Sequence, residues 1–240
     1  MQKSTKALPD LFVAGTGTNV GKTVVSLLLM HLYAGLGAAP RYVKPFQTGC
    51  RTPFDTDSDA LFISRYSNGR FTVSPKKSTL CCLPQPKAPW FAAGNQGQLI
   101  DPAVVFDTFK KLKKSSEPVI MEAAGGLMVP VNANTLVIDL LQKIAIQPVL
   151  VAHAGLGTIN HTLLSLDMMK SRGIQPLGVV LSDPGPDATP LQMVQENTEA
   201  IERFSKVRVA GVIHPVNDFA KPDSIHLDLL KKLICGEEEI

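Results

Sequence analysis

The chain has 240 residues, 45% of them hydrophobic and 19% charged, which suits a globular protein with a sizeable core and room for one large domain or two small ones. Its 24 basic and 21 acidic residues are scattered and leave a formal charge of +3, so no basic stripe or tail points to a nucleic-acid partner. No apolar run approaches the roughly 20 residues that cross a bilayer, and Met1 to Asp10 lacks the apolar stretch of a signal peptide. The reading is a cytoplasmic protein with no membrane partner. Cys50, Cys81, Cys82 and Cys235 show neither a paired spacing nor a nearby histidine cluster, so they read as reduced thiols rather than as a disulfide framework or a zinc site.

In chain order, Leu11 to Ala14 is a short apolar run ending in glycines, which predicts a buried strand feeding a loop. Thr23 to Ala34 then carries apolar residues at helical spacing. Arg41 to Lys44 reads as a strand and Asp57 to Tyr66 as a helix. The stretch from Phe71 to Gln98 is rich in Pro, Lys, Ser and Gly without sustained period, and is taken as an irregular excursion from the sheet. Pro102 to Lys113 reads as a helix, Val119 to Glu122 as a strand and Leu136 to Lys143 as a helix. Val149 to Ala152, Leu177 to Leu181 and Val207 to Ile213 read as strands, with helices at Ile159 to Ser171 and Leu191 to Phe204. Gly173 and Gly178 flank the turn into the Leu177 strand. Strands alternating with helices imply an α/β fold of the P-loop NTPase type, a mostly parallel sheet with helices on both faces, organised as a single domain.

Gly15-Thr16-Gly17-Thr18-Asn19-Val20-Gly21-Lys22-Thr23 lies between the first strand and first helix. A phosphate-binding loop needs glycines where backbone N–H groups converge on an anion, then a Lys for the outer phosphates and a hydroxyl for Mg²⁺. Gly21-Lys22-Thr23 supplies these. Counting back from Gly21 puts Thr16 where the first glycine is usual, so the loop is one residue longer than the common form. Val119-Ile120-Met121-Glu122, followed by Ala123-Ala124-Gly125-Gly126, is an apolar strand ending in a carboxylate that can ligate Mg²⁺ or cap a neighbouring helix. Asp59 opens a helix, where a carboxylate equally serves free N–H groups. Lys44 is delivered to the C-terminal end of its strand, the edge at which open α/β sheets bind ligands, and is either a second cation near the phosphates or a solvated lysine. Thr48 follows on a loop as a substrate hydroxyl or a turn residue. Gly155-Leu156-Gly157-Thr158-Ile159-Asn160 joins a strand to a helix through two glycines, which suit a carboxylate or simply a tight turn. His153 and His161 read as structural, and Trp90 and the methionines as packing.

Together with Tyr42-Val43-Lys44-Pro45-Phe46-Gln47-Thr48-Gly49, Ser58-Asp59-Ala60-Leu61, Met121-Glu122-Ala123-Ala124-Gly125-Gly126 and Gly157-Thr158-Ile159-Asn160-His161, the P-loop block resembles dethiobiotin synthetase. The blocks occur in that family's order from about Leu11 to Pro215. The resemblance implies ATP- and Mg²⁺-dependent ring closure of 7,8-diaminopelargonic acid with CO2 to dethiobiotin, ADP and phosphate, through a carbamate and a carbamic-phosphoric anhydride. It also implies roles position by position. Lys22, Lys44 and Thr18 serve the reacting groups, and Thr23, Asp59 and Glu122 ligate the metal. Asn19 to Val24, Ala123, Ala124 and Gly125 adjoin the nucleotide, as do Ser182, Asp183 and Pro215 at the base. Thr48 contacts the substrate, and Gly155 to Asn160 receive its carboxylate across a homodimer. The chain departs from the pattern at Asn19, usually acidic; at Thr48, usually Ser; at Ser182, usually Asn; and at His214 and Val216 beside the base.

Two other readings are open. A cobyrinic-acid-type amide synthetase normally carries a glutaminase domain, for which 240 residues leave no room. A partition-type switch ATPase carries a further Lys where this chain has Gly17, and its basic membrane-targeting helix contrasts with the acidic end Glu237-Glu238-Glu239.

Overall fold

A computed structural model of the chain describes residues 8–185 and 188–236. Most of Met1 to Asp10 and all of Glu237-Glu238-Glu239 lie outside the described residues. The elements, in chain order, begin with strand β1 (Leu11–Gly15), helix α1 (Lys22–Gly35), strand β2 (Arg41–Thr48) and helix α2 (Asp59–Arg65). Then come α3 (Pro75–Ser78), β3 (Thr79–Leu83), α4 (Pro89–Gly94), α5 (Ala103–Leu112) and β4 (Val119–Glu122). A small antiparallel pair, β5 (Pro130–Asn132) and β6 (Thr135–Leu136), leads to α6 (Val137–Ile144). The chain ends with β7 (Gln147–His153), α7 (Thr158–Ser171), β8 (Gly178–Ser182), α8 (Leu191–Ser205), β9 (Val209–Ile213) and α9 (Ser224–Cys235).

Seven strands form one sheet in the order β3-β2-β4-β1-β7-β8-β9, with every adjacent pair parallel. Strand side chains alternate between faces, so a sheet buried on both sides needs apolar residues at successive positions. β1 shows this directly: Phe12 and Ala14 join one apolar cluster, while Leu11 and Val13 join the other. The first cluster includes Val105 of α5, Leu140 and Leu141 of α6, Leu166 and Met169 of α7 and Ile201 of α8. The second includes Leu27 to Leu29 of α1, Ile63 of α2 and Leu230 and Leu233 of α9. Full burial of each such side chain stabilises the fold by about 1.5–3 kcal/mol before entropy is counted.

Three sequence expectations are corrected. The Phe71 to Gln98 stretch is not irregular: it contains α3, β3 and α4, and β3 pairs with β2 as the edge of the sheet. Thr79-Leu80-Cys81-Cys82-Leu83 has no polar alternation and lies between prolines, so an edge strand here leaves little periodic signal. β2 continues to Thr48, which places Lys44 in the middle of the strand rather than at its end. α2 starts at Asp59, with Ser58 as N-cap accepting a hydrogen bond from the Leu61 N–H at 3.4 Å. The β5–β6 pair and α9 are further elements that the sequence reading leaves unassigned, although His226, Leu230 and Leu233 mark one buried face of α9 at helical spacing. Gly178 belongs to β8, and a Cβ there would meet the Arg208 carbonyl at 2.8 Å, so this glycine permits close packing of β8.

Candidate active site

β1, β2 and β4 end at one edge of the parallel sheet, where a cavity of about 690 Å³ opens. The loop after β1 forms one wall. Asn19 (φ 59°) and Gly21 (φ 91°) turn this loop through left-handed backbone, which Asn tolerates and Gly adopts freely. A Cβ at Gly21 would also collide with the Ser182 hydroxyl at the end of β8, so only glycine lets the loop sit down on the sheet. α1 then starts at Lys22 with no acid in its first turn and, among the described residues, no side chain capping it from the Gly21 position. Uncapped donors of this kind are a ready-made anion site. Lys22 is buried and donates from Nζ to the Gly17 carbonyl at 2.6 Å. Burial, followed by the charge of Lys44, lowers its pKa to about 8.

Behind the loop, Glu122 at the end of β4 is 0% exposed and gathers a polar cluster. Its Oε2 accepts from Tyr42 Oη at 2.8 Å and Ser26 Oγ at 2.9 Å. Its Oε1 lies 2.7 Å from Lys44 Nζ and 2.9 Å from Thr23 Oγ1. Asp59 completes the group, with Oδ2 2.7 Å from Lys44 Nζ and Oδ1 3.0 Å from Thr23 Oγ1. Lys44 also donates to the Ala123 carbonyl at 3.0 Å. Burial alone would lower the Lys44 pKa, but the Glu122 and Asp59 carboxylates outweigh it and hold the ammonium above the ordinary lysine range. Burial, reinforced by Glu122, pushes the Tyr42 phenol well above its usual range, so Tyr42 stays a donor. The donor set of one hydroxyl and two carboxylates fits a hard oxygen-seeking cation such as Mg²⁺, which takes few protein ligands and completes its shell with water and phosphate oxygens. Among the described residues no group of three or more His, Cys, Asp or Glu forms a metal cage.

The cavity brings together most of the sequence-predicted residues. Thr18, Asn19, Gly21, Lys22, Thr23 and Val24 line it from the loop, and Lys44, Thr48 and Asp59 from β2 and α2. Glu122, Ala124 and Gly125 line it from the end of β4. Val20 and Ala123 are buried beside it. Other expected residues do not line the cavity, although Ser182 lies directly against Gly21 of its wall. Ser182 and Asp183 are buried at the end of β8, where Asp183 Oδ2 accepts from the Thr189 N–H at 2.6 Å. Pro215 is exposed after β9. Gly155 to Asn160 turn from β7 into α7 outside the cavity wall, with Leu156 94% exposed. Asn197 of α8 holds this turn from behind, donating to the Ala154 carbonyl at 2.8 Å. His153 and His161 are exposed, and Trp90 stacks on Phe91 at 4.7 Å rather than entering the core. All four cysteines are unpaired.

Sequence reasoning missed Ser26, Tyr42, Gln47 and the Pro86 to Pro89 segment. A signal existed for the first two: Ser26 is one helical turn beyond Thr23, and Tyr42 shares the strand face of Lys44 two residues on. Gln47 Oε1 accepts from the Asp59 N–H at 3.1 Å and fixes the start of α2. Lys87 and its neighbours reach the cavity only because β3 exists, and that strand carries no pattern of its own.

Comparison with known proteins bears on the family and the fold. An AAA-domain family model matches residues 9–223. The ATP-dependent dethiobiotin synthetase BioD of Paramagnetospirillum magneticum is 36% identical over 207 residues, 86% of this chain and 88% of that protein. The same enzyme of Methanococcus vannielii is 31% identical over 211 residues, 87% of this chain and 95% of that one. The biotin biosynthesis bifunctional protein BioCD of Bordetella avium is 36% identical over 203 residues, but the chain spans only 39% of its length. Among solved structures, the MinD cell division protein of Aquifex aeolicus superposes with a TM-score of 0.61 at 14% identity, covering 97% of this chain and 98% of that one. The cell division ATPase MinD of Pyrococcus furiosus gives 0.57 at 15%, covering 94% and 100%. At such identities these two report the fold alone, a P-loop NTPase-like α/β sheet. Identity of 31–36% over most of both sequences carries further: the chain belongs to the ATP-dependent dethiobiotin synthetase family, enzymes that use ATP to form carbon–nitrogen bonds.

Proposed function

We propose that the protein catalyses ATP- and Mg²⁺-dependent closure of 7,8-diaminopelargonic acid with CO2 to dethiobiotin, ADP and phosphate. The observation that carries this reading is the buried Lys44 ammonium set between Asp59 and Glu122 beside the phosphate loop. A phosphate loop alone needs only Lys22 and Thr23; a second fixed cation suits a reaction in which more negative charge gathers there.

One substrate amine adds to CO2 and loses a proton, forming a C–N bond and a carbamate. A carbamate oxygen then attacks the γ-phosphorus, and the bond to the bridging oxygen breaks to release ADP. The second amine attacks the carbamoyl carbon and loses its proton, and phosphate departs as the ring closes. In this scheme the uncapped N–H groups at the start of α1 and Lys22 hold the phosphates. Lys44 offsets charge on the carbamate and the transferred phosphoryl group, with Thr18 nearby and Thr48 aligning the substrate. Thr23, Asp59 and Glu122 would hold Mg²⁺, which when bound screens phosphate charge. Ser182, Asp183 and Pro215 border the base, and Gly155 to Asn160 reach the substrate carboxylate across a homodimer. The exposure of that turn supports its use in such a shared site.

Mass spectrometry of the product, with phosphate release followed with and without diamine and bicarbonate, tests the reading. Dethiobiotin should appear, and phosphate release should depend on both co-substrates. Phosphate release indifferent to both would instead favour a switch ATPase.

A further inference from the structure

The two oxygens of Glu122 have separate partners. Oε2 is fixed inside the protein by Tyr42 and Ser26. Oε1 faces Thr23 and Lys44. Asp59 divides its oxygens in the same way, Oδ1 toward Thr23 and Oδ2 toward Lys44. The Thr23 hydroxyl has one proton and serves one carboxylate at a time. Both carboxylates suited to a divalent ion are therefore already paired with an ammonium, at 2.7 Å each, and the Thr23 hydroxyl lies against the same two acids.

We propose that Lys44 is the resident counter-cation of this site: in the nucleotide-free protein it takes the electrostatic place of a divalent ion, and it yields Asp59 and Glu122 only when that ion arrives with nucleotide phosphates. The inference rests on reading Thr23, Asp59 and Glu122 as the magnesium-binding groups. Two carboxylates and the Lys44 ammonium leave a single negative charge in a largely buried cluster, and the nearby Lys22 ammonium, which acts on the same groups, offsets it further. A bare divalent ion entering it would shed much of its hydration and meet a cation already paired with both acids, so it gains little. A triphosphate reverses the balance, because it brings further negative charge and further oxygens for the ion. Once its carboxylates are taken, Lys44 keeps the Ala123 carbonyl as a pivot and turns its charge toward the cavity bounded by Phe46 and Thr48.

Manganese titration of the nucleotide-free protein, read by calorimetry and by the electron paramagnetic resonance of the free ion, tests this. Lys44→Gln should bind Mn²⁺ tighter than wild type by about tenfold to a thousandfold, the span over which one nearby unit charge moves a proton equilibrium. Lys44→Arg, which keeps the cation, should stay as weak as wild type. Equal affinity in wild type and Lys44→Gln overturns the inference. A variant-free measurement is the melting temperature of the wild type, which MgCl2 alone should leave unmoved and MgCl2 with a non-hydrolysable ATP analogue should raise. A rise with MgCl2 alone overturns the inference even if Lys44→Gln does not fold. Absence of Mn²⁺ binding to wild type in the presence of the analogue removes the metal-site reading itself, and this inference with it.

Discussion

Lys44 and Gly21 show what single residues control here. If Lys44 serves the carbamate and the transferred phosphoryl group, Lys44→Ala should lower kcat by about a hundredfold or more while the Kd for ATP moves far less. Steady-state kinetics beside calorimetric ATP titration would measure both, and equal losses would remove that role. The same substitution strands Asp59 and Glu122 without their cation, so denaturant unfolding should report a loss of about 3–5 kcal/mol. Gly21→Ala acts differently, through a positive φ and a collision with Ser182. It should cost about 1–2 kcal/mol from the backbone alone and abolish ATP binding, both visible in denaturant midpoints and titration calorimetry. At this scale the sequence singled out Lys22, Thr23, Lys44 and Glu122 by residue type and position, and the fold brings them to one cavity. Ser26 and Tyr42 carried only a positional signal, beside Thr23 and Lys44, because an ordinary Ser and Tyr acquire meaning only when the fold turns them onto Glu122.

Among the elements, α1 bears on more than its N-terminus. His31, in its middle, has Nε2 2.9 Å from the Tyr66 carbonyl and 3.2 Å from the Phe219 carbonyl, so that nitrogen carries a proton, while Nδ1 is buried without a partner among the described residues. Burial lowers the His31 pKa below 6.5, and His226 of α9 is lowered by burial in the same way. A depressed folded pKa means that the stability tied to the neutral rings is complete above 6.5 and is lost as pH falls through that value toward the folded-state pKa. The thermal midpoint should therefore drop between about pH 7.5 and about pH 5, and His31→Gln should flatten part of that drop. An identical pH slope in the variant would show that His31 does not contribute. Element type was readable where apolar residues form a short unbroken run, as in β1 and β4, or recur at a clear helical period, as in α6 and α8. β3 was not, since a five-residue edge strand is defined by its neighbour β2 rather than by its own alternation.

For the whole molecule, the alternation of strands and helices revealed the parallel sheet and its two covered faces, whereas the proposed homodimer, in which protomers would share the site, has no such signature in the pattern. If Gly155 to Asn160 complete a partner's cavity, a Lys44→Ala protomer and an Asn160→Ala protomer, each poorly active alone, should complement when mixed. Activity should recover to roughly a quarter of wild type, since half of randomly paired dimers are mixed and each then has one intact site of two. No recovery on mixing would place the complete site within one chain. The carboxylate of Glu122 bears on motion as well as chemistry. It ties β4 to β2 through Tyr42 and Lys44 and to α1 through Thr23 and Ser26, while the neighbouring Ala123 N–H is bonded to the Val13 carbonyl at 3.0 Å. Freeing that amide requires parting the central strands, so its hydrogen exchange should follow global unfolding, slowing and quickening with denaturant in step with the rest of the core. The floor of the site then has no private way to loosen: as long as the protein is folded its acid stays aimed, and any opening that admits substrates must belong to the loops around it.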